Sequence, residues 1–92
     1  LERTEAFIHR AHAFNELGDE SRSVDDYRQA LTLAKSPIHK RHIQAMLSLA
    51  YLRNGTKEVA MWWAIAALES DRRDEEAHFV FGMNCACSEL YE

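Results

Sequence analysis

Histidine pairs raise the question of metal binding in this sequence, because imidazole is a common zinc ligand. His9 with His12 and His39 with His42 are each three residues apart. On a helix, this spacing places both rings on one face. A zinc site needs a third ligand, and no cysteine or carboxylate stands at a matching spacing. We therefore expect surface histidines without a metal, and a metal or small-molecule sensor remains the third hypothesis for function.

Paired carboxylates at Asp25–Asp26 and Glu75–Glu76 could perform general acid–base catalysis. Both pairs fall at predicted helix starts, where the helix dipole favours negative charge and is sufficient to explain them. No serine or cysteine stands beside a base in a recognisable nucleophile motif, and the sequence has no glycine-rich phosphate loop. The sequence thus predicts neither an enzyme nor a cofactor.

Charge, cysteine content and hydropathy narrow the class of protein further. The formal net charge of −4 disfavours nucleic acid, which needs a basic stripe. Cys85 and Cys87 are too close in sequence to bridge each other easily, so we expect reduced thiols and a cytoplasmic location. No apolar run approaches the roughly 20 residues of a membrane span, so we expect no membrane insertion.

The 92 residues suffice for one small domain. The chain begins at leucine and ends inside a predicted helix, which leads us to expect a fragment of a longer protein.

Hydrophobic periodicity predicts a first helix over residues 4–17, with a stripe of Phe7, Ala11, Phe14 and Leu17. Gly18 ends it, because glycine adopts the left-handed helix terminus at low cost. Ser21 or Ser23 can cap the second helix. That helix buries a stripe formed by Val24, Tyr27, Ala30, Leu31 and Ala34.

Ser36 and Pro37 suit the cap and first position of a third helix, which runs to Asn54–Gly55. Thr56 can cap a fourth helix over about 57–70, and a fifth runs from about 74–76 to Tyr91. No alternation of period two indicates a strand. The glycine turns recur 37 residues apart between helices joined by short links. This pattern predicts stacked antiparallel helical hairpins.

The small and aromatic positions of these hairpins resemble the tetratricopeptide repeat. In residues 4–37, the characteristic positions of the family are occupied by Ala11, Phe14, Gly18, Ser23, Tyr27, Ala30 and Leu31. In residues 41–74, they are occupied by Ser48, Tyr51, Gly55, Ala60, Ala64, Ala67 and Leu68. A half repeat covers about 75–92. Ala64 stands where the family has an aromatic residue, and the first spacing is 37 instead of 34.

The resemblance implies an all-α fold of about five helices, stacked as a right-handed superhelix. It also implies a scaffold that binds a peptide or amphipathic helix of another protein in a concave groove. The groove positions are Ile8, His12, Asn15, His42, Ala45, Leu49, Leu52, Arg53, Phe79 and Met83. Ile8 and His12 stand where one subset of the family has a lysine and an asparagine that clamp a chaperone's terminal carboxylate. We therefore expect that clamp to be absent and the groove to be mainly apolar.

The stretch VAMWWAIAAL, residues 59–68, is apolar all round the predicted fourth helix. Ala60, Ala64 and Ala67 are expected to face the paired helix. Trp62 and Trp63 then point outward or toward the next unit. A large exposed apolar area marks an interface. The alternative function is therefore self-association through the open end of the stack and the residues Met61, Trp62, Trp63 and Ile65. If the fifth helix and the loops cover this area, no interface is needed.

Overall fold

The computed structural model describes residues 3–90, with side-chain surroundings for residues 3–87. Five α-helices fill this range, and the described chain contains no strand, which confirms the all-α prediction. The helices are α1 (Arg3–Glu16), α2 (Glu20–Leu33), α3 (Pro37–Arg53), α4 (Lys57–Ser70) and α5 (Glu75–Leu90). The predicted extension of the fifth helix to Tyr91 lies outside the described residues. No helix among these five is long and apolar enough to cross a bilayer.

Glycine turns end α1 and α3 as predicted. Gly18 and Gly55 have φ values of 82° and 86°, in the left-handed region that side chains with a Cβ rarely adopt. Three-residue links at 17–19, 34–36 and 54–56 then turn the chain back on itself. Leu17 was predicted to lie on the buried stripe of the first helix, but it is 80% exposed. It follows the last residue of α1, so the helical period that would have placed it on the core no longer applies.

The cap of α2 differs from the prediction. The Asp19 side chain accepts a hydrogen bond from the backbone N–H of Arg22 at 3.2 Å, so the cap is Asp19 and neither Ser21 nor Ser23. Ser36 and Thr56 occupy the cap positions of α3 and α4, as predicted, but neither side chain makes a capping hydrogen bond. Asp74 accepts from the N–H of Ala77 at 2.9 Å and so satisfies an orphan donor at the start of α5.

The core has two parts, and α3 contributes to both. The first cluster is formed by α1, α2 and α3 around Tyr27, Ile43 and Leu47. The second is formed by α3, α4 and α5 and consists mainly of alanines, with Val80. The helices contact their neighbours in chain order, and α3 also contacts α5. The stripe of Ala60, Ala64 and Ala67 is fully buried, as predicted.

Each hairpin closes on a pair of small buried residues, Ala11 with Ser23 and Ser48 with Ala60. The Ser23 hydroxyl donates to the Ala11 carbonyl at 2.9 Å, and the Ser48 hydroxyl donates to the Ala60 carbonyl at 2.7 Å. Positions 11 and 48 are 37 residues apart, as are positions 23 and 60. Serine and alanine have therefore exchanged helices between the two hairpins, and the hydrogen bond across the crossing is kept.

Candidate functional site

A row of polar side chains joins α1, α3 and α5. His42 on α3 donates from Nδ1 to Glu76 Oε1 on α5 at 2.9 Å. The ring of His12 on α1 meets the ring of His42 edge-on, with 5.8 Å between centroids. The three residues thus lie along one surface of the stack.

The histidines that lie close together in the structure are not the pairs that the sequence suggested. The close pair is His12 with His42, on different helices, whereas His9 is exposed and His39 is half-buried. Among the described residues, no group of three histidine, cysteine or acidic side chains could hold a metal. Cys85 and Cys87 are free thiols and half-buried.

A depression of about 250 Å³ lies at the His12 end of the row. Its lining comes from α1, α2 and α3 and consists of His12, Asn15, Glu16, Tyr27, Met46 and Arg53. Three buried polar atoms in it have no hydrogen-bond partner in the described chain: His12 Nε2, Asn15 Oδ1 and the Tyr27 hydroxyl. Tyr27 itself is only 1% exposed. A buried unpaired polar atom costs about 1–3 kcal/mol, so three together at one place are unusual.

Burial fixes the protonation of two of these groups. Burial, followed by the charges of His42 and His9, holds the pKa of His12 below its ordinary value of 6.5. Burial also raises the pKa of Tyr27 well above its usual range. At neutral pH the imidazole is therefore neutral and the phenol keeps its proton.

Apolar side chains lie toward the α5 end of the same surface. Phe79 is 62% exposed and Met83 is 41% exposed. Leu49 and Leu52 are half-buried, and Leu49 packs on the second core cluster. At the other end, Ile8 packs against the first cluster, and Arg53 is exposed.

Ala45 is a correction to the predicted groove, because its side chain is fully buried. It lies in the second cluster with Ala77 and Val80 of α5. Its small side chain allows α3 and α5 to approach closely, and a partner cannot reach it.

The outer face of α5 lacks the cover that α1 and α3 have. Ala11 and Ser48 are fully buried at their hairpin crossings. Gly82, 34 residues after Ser48, is exposed, and no described atom comes within 4 Å of a Cβ built on it. Phe79 likewise stands 34 residues after the buried Ala45. Positions 79 and 82 of α5 are thus exposed, whereas Ala45 and Ser48 of α3 are buried.

The apolar fourth helix is only partly exposed. Trp62 is 62% exposed, Ile65 is also exposed, and Met61 is half-buried. Trp63, by contrast, is half-buried and packs against the first core cluster, so the prediction that it points outward or toward the next unit is wrong. The two indole rings meet edge-on with 4.7 Å between centroids.

The ion pair between Arg10 and Asp26 could not be predicted from sequence spacing alone. Asp26 is buried and accepts two hydrogen bonds from the Arg10 guanidinium, at 2.7 and 2.9 Å. This bond to Asp26 raises the pKa of Arg10. Dipole complementarity at a helix start is therefore not the full explanation of this carboxylate. Sixteen residues separate the partners, and the available sequence signal was that Asp26 adjoins Tyr27 of the predicted buried stripe.

No family model matches this chain, and no curated protein matches it either.

Proposed function

We propose that this protein is a tetratricopeptide-like interaction module that holds a segment of another protein against α1, α3 and α5. The observation that carries the proposal is the surface these three helices share. It has exposed apolar anchors, Phe79 and Met83, at one end and unpaired buried polar atoms at the other. Groove binding sites for peptides and helices combine such apolar anchors with a few placed polar groups.

The repeated architecture supports the family and the right-handed superhelix as parts of the same proposal. Two hairpins of similar length end their first helices at left-handed glycines 37 residues apart. Both cross at a serine–alanine pair. Stacked hairpins of this kind form extended binding surfaces.

The partner we propose is a peptide or amphipathic helix, bound without a cofactor and without catalysis. The net charge of −4 supports a protein partner over nucleic acid. The free thiols Cys85 and Cys87 fit a scaffold or adaptor in the reducing cytoplasm.

Peptide selection tests this function. A random peptide library displayed on phage is selected against the protein, and the binders are measured by fluorescence anisotropy. We expect Phe79→Asp and Met83→Asp each to weaken binding at least tenfold, because a charge replaces an apolar anchor. Leu17→Asp is the matched control, since Leu17 is exposed and apolar but lies in the turn after α1. If Phe79→Asp and Met83→Asp bind the selected peptides as tightly as Leu17→Asp does, the groove is refuted.

Self-association is a second candidate, favoured by the uncovered face of α5. On α5, Gly82 is exposed where α1 and α3 bury Ala11 and Ser48, and Trp62 adds apolar area. Sedimentation equilibrium over a wide concentration range tests self-association through the molar mass. An oligomer that Trp62→Asp dissociates supports this function, and a monomer at every concentration eliminates it. Trp63 is unsuitable for this test because its side chain packs in the core.

A further inference from the structure

We infer that the depression beside His12, Asn15 and Tyr27 is a binding site for a carboxamide, the group at the end of an asparagine or glutamine side chain. The three unpaired polar atoms and the volume of the depression carry this inference. It deepens the proposed function, and it depends on that function only for the source of the carboxamide, a side chain of the bound partner.

The hydrogen-bonding capacities of the three atoms define the ligand. The Tyr27 hydroxyl retains its proton and can donate it. Asn15 Oδ1 can only accept, and His12 Nε2 accepts when the neutral ring carries its proton on Nδ1. With the His12 proton on Nδ1, the site offers one donor and two acceptors. A carboxamide offers the complement, with one carbonyl oxygen to accept and an NH₂ group with two hydrogens to donate.

Charged groups fit this arrangement less well. A carboxylate can accept from Tyr27 but has no hydrogen for Asn15 Oδ1 or His12 Nε2, and Glu16 in the lining offsets the attraction of Arg53. An ammonium group can donate to all three atoms but offers no acceptor for the Tyr27 hydroxyl proton, and Arg53 offsets the attraction of Glu16. The lining thus contains one acidic and one basic side chain, which favours a neutral polar ligand.

The three buried atoms become accessible only when side chains of the lining move, and we infer that the flexible Met46 and Arg53 are the ones that do so. The atoms lie below the surface, whereas Arg53 is exposed and Met46 is half-buried. Methionine is unbranched with three rotatable bonds, and arginine is longer still. The depression, of about 250 Å³, is far larger than the space that one water needs, so a carboxamide fits once these side chains move.

Fragment titration followed by ¹H–¹⁵N NMR tests the site without any protein partner. The probes are acetamide, acetate and methylammonium chloride, each at matched ionic strength. We expect acetamide to shift the amide signals of His12, Asn15 and Tyr27 saturably, and the two ions to leave them unchanged. Equal shifts with acetate would make this an anion site and overturn the inference. No saturable shift with acetamide would also overturn it.

Tyr27→Phe is the decisive variant because it removes only the hydroxyl. We expect it to weaken acetamide binding at least threefold and to leave the urea midpoint of unfolding equal or higher, since the lost hydroxyl is buried and unpaired. Tyr51→Phe is the control, because the half-buried Tyr51 hydroxyl already accepts from Arg28 at 3.5 Å. Unchanged acetamide affinity in Tyr27→Phe would overturn the site. The Phe79→Asp and Met83→Asp variants retain the depression, so loss of acetamide binding and loss of peptide binding are separate results.

Discussion

Ser48→Ala is the substitution whose effect on stability follows most directly from the structure. Ser48 is fully buried, donates to the Ala60 carbonyl at 2.7 Å and accepts from Asn84 Nδ2 at 2.8 Å. Its hydroxyl therefore links α3, α4 and α5. A buried hydrogen bond contributes about 1 kcal/mol net, so losing two costs about 2 kcal/mol. Ser23→Ala loses a single bond, to the Ala11 carbonyl, and we expect it to cost about 1 kcal/mol.

Urea unfolding followed by far-UV circular dichroism measures this difference in the free energy of unfolding. Ser21→Ala is the matched control, because Ser21 is an exposed serine of the same helix as Ser23. A double-mutant cycle of Ser48→Ala with Asn84→Ala isolates the bond between them, and we expect a coupling of about 1 kcal/mol. The reasoning fails if Ser48→Ala is no more destabilising than Ser23→Ala, or if the coupling is zero.

Three further predictions concern charge and backbone. Burial and a neighbouring imidazole lower the pKa of His12, so below about pH 6.5 the unfolded chain binds a proton that the folded chain does not. Stability should therefore fall as the pH drops below about 6.5. In His12→Leu, the urea midpoint of unfolding should depend less on pH between about pH 7 and 5. Gly55→Ala should cost about 1–2 kcal/mol through its positive φ alone, seen as a lower Tm, because a Cβ there meets no described atom. Arg10→Met should lower the urea midpoint more than Arg10→Met with Asp26→Leu, because the single change leaves a buried carboxylate unpaired; a lower midpoint in the double variant would refute this.

The helices and their turns could be predicted because their signals are local. A glycine after an apolar stripe and a proline at a helix start act within a few residues, and both appear where expected at Gly55 and Pro37. Leu17 shows the limit of periodicity, since one residue beyond the helix end removes it from the core. Ala45 shows another limit, because alanine suits both a groove floor and a close helix crossing. Only the position of α5 distinguishes these two roles.

The candidate site was only partly predictable, because its contacts join different helices. His12, Asn15 and Arg53 were expected on one surface, but the approach of His12 to His42 depends on how α1 and α3 are aligned. Tyr27 was predicted as a core residue, and it is one. That its hydroxyl has no partner in the described chain is a property of the finished packing.

The order of helix contacts has a consequence for how the chain folds. Helices pack mainly on their neighbours in sequence, so few contacts need a long loop to close. Proteins with such local contacts fold in microseconds to milliseconds. A ribosome adds roughly 5–20 residues per second, so α1 and α2 can close their hairpin before α5 is synthesised. We therefore expect the chain to assemble in order as it emerges, with each completed hairpin forming the surface on which the next one packs.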